Sequence, residues 1–232
     1  MAADRSARDA VAFHLAFGVL AGAVLAMPAV PVPSWGAVGP DLGWRLLALV
    51  GVYAVALPVV ARARGHREWL RWWAFLVPLS VFQVVPDAVL ASVLGVLDFP
   101  DTGGPRLGPL PLAMAGMWTI PLWITLAVAD RQSGGRLGRG AAWAALAAGL
   151  MFIGAEATLW AVPIWRAVGV TTVGPVAVYV VPPEILLGAV TWVAYRLTRG
   201  RSRALQVAAA ALVSLVYLGA LVASYALVER AL

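Results

Sequence analysis

Three carboxylic acids lie inside apolar runs of this sequence, and they are the residues with the most chemistry to offer. Asp87 sits in "FQVVPDAVLASV", Glu156 in "FIGAEATLWAV" and Glu184 in "VYVVPPEILLGAV". An acid at the centre of a lipid-facing helix costs on the order of 2.5–3.5 kcal/mol, so such residues turn inward and commonly carry function. A carboxyl taken out of water keeps its proton at neutral pH. In a dry chamber it can act as a general acid on an alkene or an epoxide. Glu156 is the expected donor, because Phe152 and Trp160 stand one helical turn either side of it. Asp87 and Glu184 are expected to orient it or to take the proton back, with Gln83 and Tyr179 as hydrogen-bonding support. Ser80, Gln83 and Asp87 share one helical face, as do Glu184, Gly188, Thr191 and Tyr195. The competing reading is structural: protonated acids bonded between helices as glue.

Proline accompanies two of the acids. Pro86 precedes Asp87, and Pro182–Pro183 precede Glu184. Proline inside a helix removes a donor and frees the carbonyl four residues back. In a bilayer such a group survives only where protein or trapped water satisfies it. Kinks next to both acids are therefore expected, on the wall of a polar cavity. "VVPDAVL" and "VVPPEIL" also look alike across three spans. That spacing fits an inverted repeat of spans one to three and four to six, with a seventh helix added.

The elements that must position these acids are membrane helices. The 232 residues are 62% hydrophobic and 12% charged, with a mean hydropathy of +0.87, which is too little charge to cover a soluble domain. Seven runs have the length to cross about 30 Å of hydrocarbon: Val11–Val30, Trp44–Val60, Trp72–Leu97, Leu110–Ala129, Ala141–Val162, Gly174–Tyr195 and Leu205–Val228. The flank "MAADRSARDA" carries no net positive charge, so the first run reads as a helix rather than a signal peptide. All 17 basic residues are arginine. All but Arg45, Arg106, Arg166 and Arg230 fall at the N-terminus or after even-numbered spans, which places the N-terminus in the cytoplasm and the C-terminus outside. The expected fold is all-α: one polytopic domain of seven transmembrane helices in the cell membrane. Spans three and five run outward, so Asp87 and Glu156 fall in the outer half. Span six runs inward, with Glu184 near the midplane. All three can meet in one cavity. Trp69, Trp72 and Trp73 are expected as anchors at the inner interface.

Between spans three and four runs "GVLDFPDTGGPRLGPLP", with Asp98, Asp101 and Arg106 placed to cap that cavity. The D-x-x-D spacing resembles a magnesium–diphosphate site, but Pro100 interrupts it and no second acidic cluster exists, so a solvated turn is expected. His14 and His66 have no paired ligand, and the chain has no cysteine, so haem and zinc are unsupported. Without lysine, a retinal Schiff base and lysine catalysis are excluded. The charges form no basic patch for nucleic acid. Trp118, Trp123 and Trp160 lie within spans, where aromatic faces can stabilise a cation.

The runs "LDFPDTGGPRLGPLPLAMAGMW" and "VVPPEILLG" resemble the small membrane cyclases of isoprenoid metabolism, the lycopene cyclase domains and the seven-span meroterpenoid cyclases. The resemblance spans about Gln83–Trp118 and Val180–Gly188. Ile185 stands where the second acid of a P-x-E-E element would be. The meroterpenoid cyclases are thought to use acids on spans two and seven. Here span two has none, and Glu229 ends span seven. The resemblance implies an acid-initiated cyclase of a hydrophobic isoprenoid that enters from the bilayer, with no metal, no cofactor and no protein partner. A proton-coupled transporter or channel is the alternative, and a non-catalytic lipid- or quinone-binding subunit a third reading.

Overall fold

The structure, a computed structural model, describes residues 2–34, 37–159 and 161–230. Helices dominate it: α1 (Ala2–Leu25), α2 (Leu42–Arg64), α3 (Arg67–Phe82), α4 (Val84–Val89), α5 (Met114–Met117), α6 (Thr119–Ser133), α7 (Leu137–Ala157), α8 (Val181–Thr198) and α9 (Arg203–Glu229). A π turn, Leu90–Leu94, extends α4, and a 3-10 turn, Val178–Val180, precedes α8. Among the described residues six stretches are long and apolar enough to cross a bilayer: Asp4–Leu25, Leu42–Arg64, Arg67–Leu94, Leu137–Ala157, Val178–Thr198 and Arg203–Glu229. The run Leu110–Ala129 is not a continuous helix. Leu110–Pro111 is a strand, and the helical part breaks at Trp118 between α5 and α6. Pro121 has no N–H to give the Met117 carbonyl, so an uninterrupted helix across this point would lack a bond.

Strands of two or three residues and short turns close one end of the bundle. β1 (Val32–Ser34) pairs with β2 (Ala37–Gly39), β3 (Leu97–Asp98) with β6 (Arg166–Ala167), β4 (Arg106–Leu107) with β5 (Leu110–Pro111), and β7 (Thr172–Val173) with β8 (Val176–Ala177). At this end Arg166 pairs with Asp98 (2.7 Å), and the Glu229 carboxylate accepts from the backbone N–H of Thr171 (3.0 Å). Arg45 bonds the Val24 and Met27 carbonyls (3.0 and 2.6 Å) and pairs with Asp41 (2.6 Å), tying α1 to α2. Burial pushes the Asp41 carboxyl up, but the Arg45 guanidinium and the Val30 N–H bonded to it prevail and hold it below the usual carboxylate range. The opposite end is rich in arginine. There Asp4 meets Arg131 (3.7 Å), Asp9 meets His66 (2.8 Å), and Glu68 pairs with Arg71 (2.9 Å) and Arg199 (2.7 Å).

The interior near the arginine-rich end is solid with rings. Trp123 meets Trp69 and Trp72 edge-on at 4.9 and 5.3 Å, and His14 stacks on Trp123 at 4.9 Å. Trp69 and Trp72 are fully buried core residues rather than the interfacial anchors their position in the sequence predicts. Small residues let α7 and α8 approach closely. Gly188 faces the Ala144 carbonyl and the Ala148 methyl, and Gly149 faces Ile185.

The helix prolines show where freed carbonyls go. The Ala54 carbonyl, freed by Pro58, accepts from Trp73 Nε1 (3.1 Å), and that of Ala74, freed by Pro78, accepts from Arg203 (3.0 Å). Phe82, four residues before Pro86, accepts from Ser214 Oγ (3.0 Å). Tyr179, four before Pro183, accepts from Ser224 Oγ (2.6 Å). The freed groups are met by side chains of neighbouring helices, as the bilayer requires. Protein groups rather than cavity water meet them, although Tyr179 itself lines the cavity. Ser214 Oγ also lies 2.9 Å from Gln83 Oε1, so the two acceptors share its single O–H proton. Ser214→Ala therefore removes the one donor that these two buried acceptors share and is expected to destabilise by about 1–3 kcal/mol. A lowered melting temperature in detergent, recovered by Ser214→Thr, is the measurement.

Candidate functional site

Helix starts place two of the three acids. Val84, Val85, Pro86 and Asp87 open α4, and Val181, Pro182, Pro183 and Glu184 open α8 in the same register. Proline is tolerated in the first turn because the N–H it lacks has no intrahelical partner there. Pro182–Pro183 thus begin a helix instead of kinking one. Glu184 stands at the head of α8 rather than midway along a span, because the expected start at Gly174 is the turn of the β7–β8 hairpin. The two acids occupy equivalent local positions, which accounts for the likeness of the two sequence stretches.

All three acids meet one cavity of about 260 Å³ at the Asp98–Arg166 end of the bundle. Asp87 enters from α4, Glu156 from the last turn of α7 and Glu184 from α8. The Trp118 indole N–H donates to Asp87 Oδ2 (3.1 Å), and the Trp165 indole N–H donates to Glu156 Oε1 (2.6 Å). Glu184 differs: among the described residues, its buried Oε2 has no hydrogen-bond partner. It lies close enough to Glu156 and to Asp87 to interact electrostatically with each. They line the space without converging on a point. Among the described residues no group of three acid or imidazole side chains is gathered to hold a metal ion.

The rest of the wall is apolar and ring-rich: Phe99, Trp118, Phe152, Trp165, Tyr179 and Tyr217, with Met114, Met117 and Met151 between them. Trp118 packs against Phe152 (5.2 Å) and Tyr217 (5.6 Å), so three helices share one aromatic wall. The β3–β6 pair covers the end. Leu97 and Ala167 face the cavity, while their neighbours Asp98 and Arg166 form the ion pair outside. On the helical side the lining residues Met117, Ile120, Pro121, Met151 and Ala155 are only half-buried. Their surroundings on α7 are exposed and apolar, with Leu150 67% and Ile153 39% exposed. Part of the wall therefore borders the hydrocarbon-like surface between α6 and α7.

Of the residues singled out in the sequence, Phe152, Trp118 and Tyr179 line the cavity. Others do not. Gln83 is buried outside the cavity, bonded to Ser214. Trp123 belongs to the ring cluster at the other end. Asp98 is the outer partner of Arg166, and Asp101 caps the backbone N–H of Gly103 (3.0 Å). Arg106 donates to the carbonyls of Phe99 (3.1 Å) and Pro109. These three shape the covering loop and do not line the cavity, because its polar residues turn to backbone and solvent while Phe99 points inward. Trp160 lies outside the described residues. The sequence reading missed Trp165, Phe99 and Tyr217. A tryptophan nine residues after Glu156, in a loop, carries no helical-spacing signal. Tyr217 is the one lining residue from α9, where the search was for acids.

Residues 84–228 match a family model described as a domain of unknown function, DUF6989, and the chain belongs to that family. Every described residue that lines the cavity falls within the matched segment. No curated protein and no solved structure matches the chain.

Proposed function

We propose that the protein is a membrane-embedded, acid-initiated cyclase or hydratase of an unsaturated, isoprenoid-like lipid. In this reading it crosses the cell membrane seven times, with α5–α6 as the fourth crossing, the N-terminus in the cytoplasm and the cavity toward the outer leaflet. The observation that carries the proposal is the meeting of three carboxyls on one aromatic-walled cavity. A transporter would need a passage to the other end, and the packing of Trp69, Trp72 and Trp123 there favours a closed chamber.

The chemistry assigns each group a step. Sequence spacing points to Glu156 as the donor, but the hydrogen bonding favours Glu184, whose Oε2 has no partner among the described residues while an indole N–H already bonds each of Asp87 and Glu156. The O–H bond of Glu184 breaks as its proton joins an alkene carbon or an epoxide oxygen. A neighbouring double bond then supplies the electron pair that closes a ring. The final cation loses a C–H proton to the carboxylate of Asp87 or Glu156, or is trapped by water. Phe99, Phe152 and Trp118 offer ring faces to the cation, each worth up to about 2 kcal/mol when desolvated. The half-buried seam between α6 and α7 admits the ligand from lipid.

The test is to reconstitute the protein in liposomes with linear isoprenoids and their terminal epoxides and to analyse the lipids by mass spectrometry. A cyclised or hydrated product is expected. Unchanged substrate throughout, or uptake of a solute driven by a pH gradient, would overturn the reading.

A further inference from the structure

A phenol buried in protein normally finds a hydrogen-bond partner for its hydroxyl. Two buried tyrosines away from the cavity do so: Tyr53 bonds His14 Nε2 (3.0 Å), and Tyr195 donates to Glu68 Oε1. At the cavity the pattern changes. Tyr179 and Tyr217 are 1% and 2% exposed and line the same space, yet among the described residues neither hydroxyl makes a hydrogen bond. Packing holds both rings, Tyr179 edge-on to Tyr225 and Tyr217 edge-on to Trp118, each at 5.6 Å. Each phenol interacts electrostatically with both Glu156 and Glu184, so its oxygen end lies on the acid side of the cavity.

Among the described residues the polar part of the lining is three carboxylic acids, two indoles and two phenols. An indole has one N–H to give and accepts nothing. Those of Trp118 and Trp165 are spent on Asp87 and Glu156. One oxygen of Glu184 and the two phenol hydroxyls remain unspent. All three can donate, Glu184 when it carries its proton, so the cavity presents hydrogen-bond donors to whatever enters it. A pure hydrocarbon would take water from these groups and return no bond. A ligand with an accepting oxygen would satisfy them.

We infer that the cavity takes a lipid-soluble ligand bearing a hydrogen-bond-accepting oxygen, in a carbonyl, hydroxyl or ether, and that Tyr179 and Tyr217 hold this oxygen beside Glu184. Apolar pockets commonly fix the orientation of a ligand through a few convergent polar groups of this kind. A site built on such donors rejects an analogue that lacks the acceptor far more strongly than an apolar wall rejects a missing methylene. As a statement about the substrate the inference rests on the acid-initiated reading, for which the two phenols choose the end of the chain that meets the donor. The binding itself needs no turnover.

The probe is geranylacetone, a ketone, set against the hydrocarbon in which a methylene group replaces its carbonyl oxygen. Calorimetric titration of the protein in detergent is expected to show the ketone binding about 10–100-fold more tightly, which one or two hydrogen bonds supply. Tyr179→Phe combined with Tyr217→Phe keeps both rings and is expected to abolish that preference. Tyr53→Phe, whose hydroxyl is bonded elsewhere, is expected to leave it unchanged. In proteoliposomes the infrared carbonyl band of the bound ketone, isotope-labelled at that carbon, is expected to lie lower than in lipid alone and to return in the double variant. Equal affinity for the two probes, no binding of either, or a preference and band unaltered by the double variant would overturn the inference. A ketone preference in a protein that turns over no isoprenoid removes the cyclase reading and leaves the binding site standing.

Discussion

Glu184→Gln lowers product formation by about 10²–10⁴-fold while leaving the protein folded. That range is what a positioned general acid contributes, and glutamine keeps the shape and polarity of the side chain but removes the proton it gives. The comparison with Glu156→Gln decides the assignment. Glu156 already accepts from Trp165, so its amide variant leaves the donor intact and is expected to lose less. Should Glu156→Gln be the more severe, the donor is the acid held by tryptophan, and an unpaired oxygen is no guide to function in this cavity. The companion measurement is stability. With no partner to lose at Oε2, Glu184→Gln is expected to melt at or above the wild-type temperature. A lower melting temperature would point to structural glue.

Gly188→Val is the substitution expected to hurt the fold most. A side chain there would enter the space of the Ala144 carbonyl and the Ala148 methyl on α7. A backbone carbonyl held in a helix cannot rotate aside, so α7 and α8 must separate. Overpacking commonly costs about 1–3 kcal/mol, and a β-branched residue against backbone belongs at or beyond the upper end. Separation also moves Glu156 and Glu184 apart, since they sit on these two helices near the same end. The expected result is a protein that melts early in detergent and has lost ligand turnover, with Gly188→Ala intermediate. Wild-type melting in Gly188→Val would mean that the helices are less tightly juxtaposed than described.

The membrane class and the shared cavity were legible in the sequence, because apolar length and intramembrane acids are both strong physical constraints. Asp87 and Glu184 were found from composition alone: few forces other than function or pairing keep a carboxyl in hydrocarbon. The prolines misled in part. Pro182–Pro183 read as a mid-span kink because hydropathy runs on through Val176–Val181, and hydropathy cannot distinguish a buried hairpin and 3-10 turn from the start of a helix. Gln83 was assigned to the cavity by its helical face and Trp123 by lying within a span, yet neither says anything about depth or about which neighbour the side chain meets. Trp165 was beyond reach for the opposite reason. Its role depends on a loop that folds back over the helix carrying Glu156, a tertiary arrangement without a local pattern.

One consequence concerns α9, which contributes only Tyr217 to the cavity yet grips both helices that carry the paired acids. Ser214 holds the carbonyl beneath Asp87, and Ser224 holds the one beneath Glu184. The ten-residue interval between these serines is therefore a ruler, fixing the relative height of two carboxyls that lie 97 positions apart in the chain. Inserting a single residue within that interval would rotate one serine away from its target and put the two acids out of step, even though neither the acids nor the lining had been touched.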